Sequence, residues 1–167
     1  MASQVFGAHF LTWLEHSPLG VFTRSLGVWS YGIINLVHIL GIVMLFGAIL
    51  LLDLRLLGAW RSIPLSALSR PATTVAMVGF CVAVMSGIPM LSVKSGDYIG
   101  NPFLLIKFPA IALALVNVWL VHRTKAWRAH RTRALMPAEN RRLAMGAVLS
   151  LTFWLTAITA GRMIGYW

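Results

Sequence analysis

Acidic residues are nearly missing from this chain: Glu15, Asp53, Asp97 and Glu139 are the only four among 167 residues, and no two are close in sequence. A paired-carboxylate hydrolytic site therefore has no local residues to draw on. Nothing resembles a nucleophile elbow, a phosphate loop or a zinc-protease helix either, so an enzyme working on its own is not expected. Cysteine is equally scarce. Cys81 is alone, which excludes an intrachain disulfide, and it lies in an apolar run where a thiol is a packing group. Charge of either sign makes up only 11% of the chain, against roughly 25% in soluble domains. With 59% hydrophobic residues and a mean hydropathy of +0.81, this composition excludes an ordinary water-soluble domain. The net charge of +10 does not indicate a nucleic-acid binder, because most of the chain is too apolar to present a basic surface to water. Residues 1–7 also lack the positively charged start of a secretory signal, so residues 1–167 are read as mature.

What is present is apolar length. Four stretches approach the roughly 20 residues needed to cross a bilayer core: 30–52, 71–91, 103–121 and 143–165. The expected fold is all-α, a membrane four-helix bundle in a single domain, with a short interfacial helix from Phe6 to Leu14 ahead of it. Pro71 and Pro102 suit first-turn positions. Pro137 suits the start of a helix running through Glu139 into the fourth span. The basic run from His122 to Arg142 is expected to continue the third helix and to meet anionic lipid headgroups.

Orientation follows from the loop cations. Arg55, Arg61, Arg70, Arg123, Lys125, Arg128, Arg131, Arg133, Arg141 and Arg142 fall on one side; Arg24, Lys94, Lys107 and Arg162 fall on the other. Loops 53–70 and 122–142 should thus be cytoplasmic and both termini periplasmic. Within lipid, small residues let helices approach closely. Gly79, Ala83 and Gly87 mark such a face on the second span, and Ala157, Gly161 and Gly165 mark one on the fourth. Lys107, Ala110, Ala114 and Asn117 share one face of the third, expected to point inward with Asn117 as an interhelical donor.

Ionisable groups inside a span cost a few kcal/mol and point to a site. His38 lies about 12 Å inside the first span, and Lys107 and Arg162 each about 6 Å from the outer ends of theirs. Asn35 shares the His38 face, and Gly41 leaves room one turn on. This set is read as a candidate for haem b or a quinone, with His38 as ligand or hydrogen-bond partner and Lys107 and Arg162 meeting negative charge. The blander reading makes His38 an interhelical hydrogen bond. No second histidine lies in a span, so another axial ligand would come from His9, His16, Met90, Met163 or a second subunit. Copper held by His38, Met85, Met90 and Met163 is a further alternative. Asp53 is expected to be structural, meeting Arg55, Arg123 or another basic loop residue.

The run Asn35-Leu-Val-His38-Ile-Leu-Gly41, then Gly47 and Asp53-Leu-Arg55-Leu-Leu-Gly58, resembles the start of a family of small, functionally uncharacterised bacterial membrane proteins. Gly79-Phe80, Gly87 and the segment from Asn101-Pro-Phe103 to Lys107 extend the likeness over about two-thirds of the chain. The His-x-x-Gly element also looks like copper-resistance membrane proteins and b-type cytochrome subunits. The resemblance implies a bacterial inner-membrane protein with His38, Asp53, Arg55 and Lys107 at motif positions, and supplies no activity. Three functions stay open: an electron-transfer subunit, a non-catalytic accessory subunit of a larger membrane complex or a homo-oligomer, and a copper or small-solute transporter.

Overall fold

The computed structural model describes residues 2–93 and 95–167, the side chains of residues 2–8, 28, 30 and 97 apart. Lys94, counted above among the sparse cations of one side, lies outside the described residues. The fold is all-α: α1 (Ala2–His16), α2 (Pro18–Ser25), α3 (Gly27–Leu56), α4 (Leu65–Val93), α5 (Pro102–Arg123), α6 (Lys125–Ala129) and α7 (Pro137–Met163), with short 3-10 turns at Ser95–Tyr98 and Ile164–Tyr166. Four of these helices are long and apolar enough to cross a membrane, which makes this a multi-pass membrane protein. The first three run beyond their apolar stretch at both ends, and α7 begins earlier, at Pro137, and gives way to a 3-10 turn at Ile164. The expected spans followed the apolar stretches, whereas helical hydrogen bonding continues into polar sequence. Pro71 accordingly lies in the second turn of α4 and not at its start. Pro102 and Pro137 do begin their helices.

The chain forms two compact units, Met1–Leu45 with Met77–Pro102, and Phe46–Ala76 with Phe103–Trp167. In the first, α2 was not foreseen. Ser17 caps it, accepting from the Gly20 backbone N–H, and Pro18 opens it. Two side chains fasten this region. Arg24 donates to the carbonyls of Ser92 and Val93 at the C-terminus of α4 and to the Glu15 carbonyl at 2.7 Å. The Glu15 carboxylate accepts from the Gly96 N–H at 2.7 Å. Orphan helix-end carbonyls thereby gain a cationic donor, a favourable pairing with the helix dipole.

The same unit contains a close helix crossing. A Cβ on Gly79 would lie 2.4 Å from the Leu45 nitrogen and 2.8 Å from the Gly41 carbonyl oxygen; one on Gly41 would lie 2.7 Å from the Ala83 nitrogen. The glycine face expected on the second span is real and is matched by Gly41 on α3.

In the second unit, Leu52, Ala72, Ala126, Trp127 and Leu143 form a core cluster, flanked by Leu56, Leu65, Val121 and Leu135. Trp127 is buried in it, and Trp154 is buried as well. Leu104, Ala110, Ala114 and Asn117 are the buried face of α5, as the periodicity indicated. Asn117 Nδ2 donates to the Gly146 carbonyl at 2.9 Å, joining α5 to α7. Gly165, by contrast, has open space where a Cβ would be and contributes nothing to its stripe.

Helix α5 does not run on into the basic segment. Thr124 stops it: its hydroxyl donates to the Val121 carbonyl at 2.7 Å and accepts from the Trp127 N–H at 3.1 Å, capping α6 with an extended backbone. The other end of this unit's turn geometry is set at Asp53-Leu-Arg55-Leu-Leu-Gly58. Gly58 N–H bonds to the Arg55 carbonyl and Ala59 N–H to that of Leu54, the paired bonds of a Schellman stop, with Gly58 at φ +108°. Gly58→Ala should lower stability by about 1 kcal/mol, read from unfolding in mixed micelles; a neutral result would mean the stop is held by its surroundings alone.

Candidate functional site

His38 is half-buried on α3 and faces the part of α4 that carries Ala83, Ser86 and Gly87. Its Nδ1 lies 2.8 Å from the Ala83 carbonyl oxygen and 3.1 Å from the Ser86 hydroxyl. A carbonyl only accepts, so Nδ1 carries the hydrogen. The Ser86 hydroxyl already donates to the Val82 carbonyl at 2.6 Å and so serves His38 as a second acceptor. The tautomer that results leaves Nε2 as the acceptor nitrogen, the form in which imidazole ligates iron or accepts from a quinol. Gly87 makes room for the ring: a Cβ there would lie 3.0 Å from Cε1.

The rest of the sequence-derived set is distributed between the units. Asn35, His38 and Gly41 belong to the first, Lys107 and Arg162 to the second. Asn35 is partly buried, one turn before His38. The room left at Gly41 is taken up by the α4 backbone, as described above. Lys107 is partly buried with its stem along α7, where a Cβ on Gly161 would lie 3.5 Å from Cε and Nζ. Arg162, about 100° further round α7, is exposed; it stacks on the Tyr166 ring at 4.6 Å and donates to its hydroxyl. Within their unit the two cations thus face different neighbours. Among the methionines considered for copper, Met85 is 75% exposed, off the face that meets His38, while Met90 follows Gly87 on that face. Among the described residues, no three histidine, cysteine or acidic side chains come together to hold a metal ion.

Two further polar sites emerge in the second unit. Asp53 is buried and hydrogen-bonded to Ser150 of α7, and its Oδ2 has no partner. The basic partners expected for it lie elsewhere: Arg55 donates to the Ile63 carbonyl at 2.7 Å and Arg123 stacks on Trp119 at 4.1 Å. The second site was not foreseen. His130 is buried beside Trp127, its Nδ1 donating to the Trp127 carbonyl and its Nε2 accepting from the Ser69 hydroxyl at 2.8 Å. Burial pushes its pKa below the ordinary 6.5, and the charges of Arg131 and His122 add to this, against the pull of the Trp127 carbonyl. The native state therefore holds His130 neutral. Its contribution to stability is complete above pH 6.5 and is lost as the pH falls below that value. The unfolding midpoint should drop on acidification through this range in the wild type, and the drop should flatten in His130→Gln; an identical slope in both would refute the assignment.

The family model described as "Family of unknown function (DUF6644)" matches residues 10–167, and the chain belongs to that family. The match runs past the two-thirds on which the resemblance was read and takes in α7. No curated protein and no solved structure matches the chain.

Proposed function

We propose that this member of a family of unknown function is a small membrane subunit in electron transfer, holding haem b or a quinone at His38. The observation that supports this reading is the tautomer of His38. Its Nδ1–H is directed by the Ala83 carbonyl, the kind of bond that orients a ligating imidazole from behind, within a helix where a polar group needs a reason to be. Met90, on the same α4 face, is a candidate second axial group. The positive-inside bias directs the arginine-rich loops to the cytoplasm of a bacterial inner membrane and both termini to the periplasm.

The test is a reduced-minus-oxidised absorption spectrum of detergent-purified protein beside His38→Ala, with iron and copper measured in both. A b-type signal that disappears in the variant supports haem. Copper without iron transfers the reading to a copper protein. A second reading rests on the contact of the His38 ring with Gly87 and the bond to Ala83: the histidine joins α3 to α4 and the protein is an accessory subunit of a larger complex. That protein purifies colourless, free of metal and of quinone.

A further inference from the structure

The second unit contains a cleft of about 730 Å³ at the end where α3 gives way to α4 and α6 to α7. Arg55, Arg61, Arg131, Arg133 and Arg141 line it together with Asn140, and among the described residues no carboxylate does. Three separate segments of the chain supply these side chains, so their gathering is a product of the fold and not of one basic run.

Several of the groups are held in place. Arg55 is fixed by its bond to the Ile63 carbonyl. Arg61 folds back over Gly58, where a Cβ would lie 3.0 Å from its Nη2, beside Trp60 at φ +46°. Arg133 grips Glu139 with both terminal nitrogens, at 2.8 and 2.7 Å, and Glu139 in turn accepts from the Met136 N–H that begins α7. That ion pair neutralises one of the five guanidinium groups and leaves four facing a concave space. Four like charges around one cleft repel each other unless an anion sits among them. Guanidinium groups match phosphate oxygens in paired hydrogen bonds, and a volume of this size is that of a small-molecule site, too large for one phosphate alone.

We propose that this cleft binds an anion carrying two phosphate groups, either a soluble diphosphate or the head group of a diphosphorylated lipid. The position favours neither source over the other: the lining residues occur at the ends of the membrane-length helices, where both the aqueous phase and lipid head groups are within reach.

The experiment measures binding of inorganic pyrophosphate, and separately of cardiolipin with zwitterionic phosphatidylcholine, of no net charge, as the comparison, to the full chain in neutral detergent by native mass spectrometry and thermal shift. Arg61→Gln and Arg141→Gln should each weaken binding by about tenfold or more, the loss of one charged hydrogen-bonding group. Arg123→Gln removes the same charge from a residue stacked on Trp119 and should leave binding unchanged. Binding of pyrophosphate with this pattern identifies a soluble ligand; binding of cardiolipin alone identifies a lipid. Protection of Arg61 and Arg141 from phenylglyoxal by the bound probe, read by peptide mapping of the wild type, tests the same site without a variant. Failure of both probes to bind or protect, or equal weakening by Arg123→Gln, overturns the proposal.

Discussion

Gly79→Leu should abolish the folded protein. The Cβ alone would lie 2.4 Å from the Leu45 nitrogen and 2.8 Å from the Gly41 carbonyl oxygen, both backbone atoms of α3, which no rotamer change can move aside. Overpacking commonly costs about 1–3 kcal/mol even where side chains can yield. Gly79→Ala should therefore lose about 2–3 kcal/mol, and leucine more than the stability a small membrane protein has to lose. Gly32→Ala is the matched comparison on α3, since nothing lies within 4 Å of the added carbon; it should change stability by less than about 0.5 kcal/mol. Reversible unfolding in mixed micelles, with gel filtration to detect loss of the monodisperse species, provides both readouts. A stable, monodisperse Gly79→Leu protein would show that the α3–α4 crossing is not as close as described.

Trp127→Ala should have the second largest effect, a loss of about 3–5 kcal/mol. The indole is only 4% exposed, packs in the cluster with Leu52, Ala72, Ala126 and Leu143, and is flanked by His122 and His130 at ring-centroid distances of 4.5 and 4.7 Å. Removing it empties a core and also withdraws one wall from the buried His130. Trp119→Ala, at a residue 52% exposed and stacked on Arg123, should cost far less. Equal costs for the two variants would mean that the cluster is not a core.

The elements that could be read in the sequence are those with a local physical signature. Apolar length gave the four long helices, since nothing else in a chain of this composition accounts for such runs. Small-residue spacing identified Gly79, Ala83 and Gly87 as a contact face, and the i, i+3, i+7, i+10 spacing identified the buried side of α5 and the bond donated by Asn117. The features that escaped depend on partners distant in sequence or on single polar atoms. Thr124 ends α5 through two hydrogen bonds that hydropathy does not register. His130 sits in a strongly basic segment and reads as solvated until Ser69, from another helix, is placed against its Nε2. Asp53 was matched to the nearest cations, although a buried carboxyl can be met by a hydroxyl such as that of Ser150. The arginines of the two loops were read one by one, as a topological signal. Only the fold gathers Arg55, Arg61 and Arg141 around one cleft.

The candidate site was legible in one respect: His38 was singled out because a histidine inside an apolar helix is costly, and its bonds to Ala83 and Ser86 give it a defined tautomer. The companion at Gly41 has a different physical reason, close contact between helices. Its spacing from His38 alone cannot distinguish a space for a ligand from a space for a neighbouring backbone.

The central claim, that His38 holds a redox cofactor, is tested most directly by extracting the purified protein with organic solvent and quantifying haem and quinone per mole of chain, for the wild type and for His38→Gln. The result expected is close to one haem or one quinone per wild-type chain and a marked loss in the variant, with the folded yield unchanged. Neither molecule in the wild type, or the same amount in both proteins, would contradict the claim and leave His38 as a bond between α3 and α4.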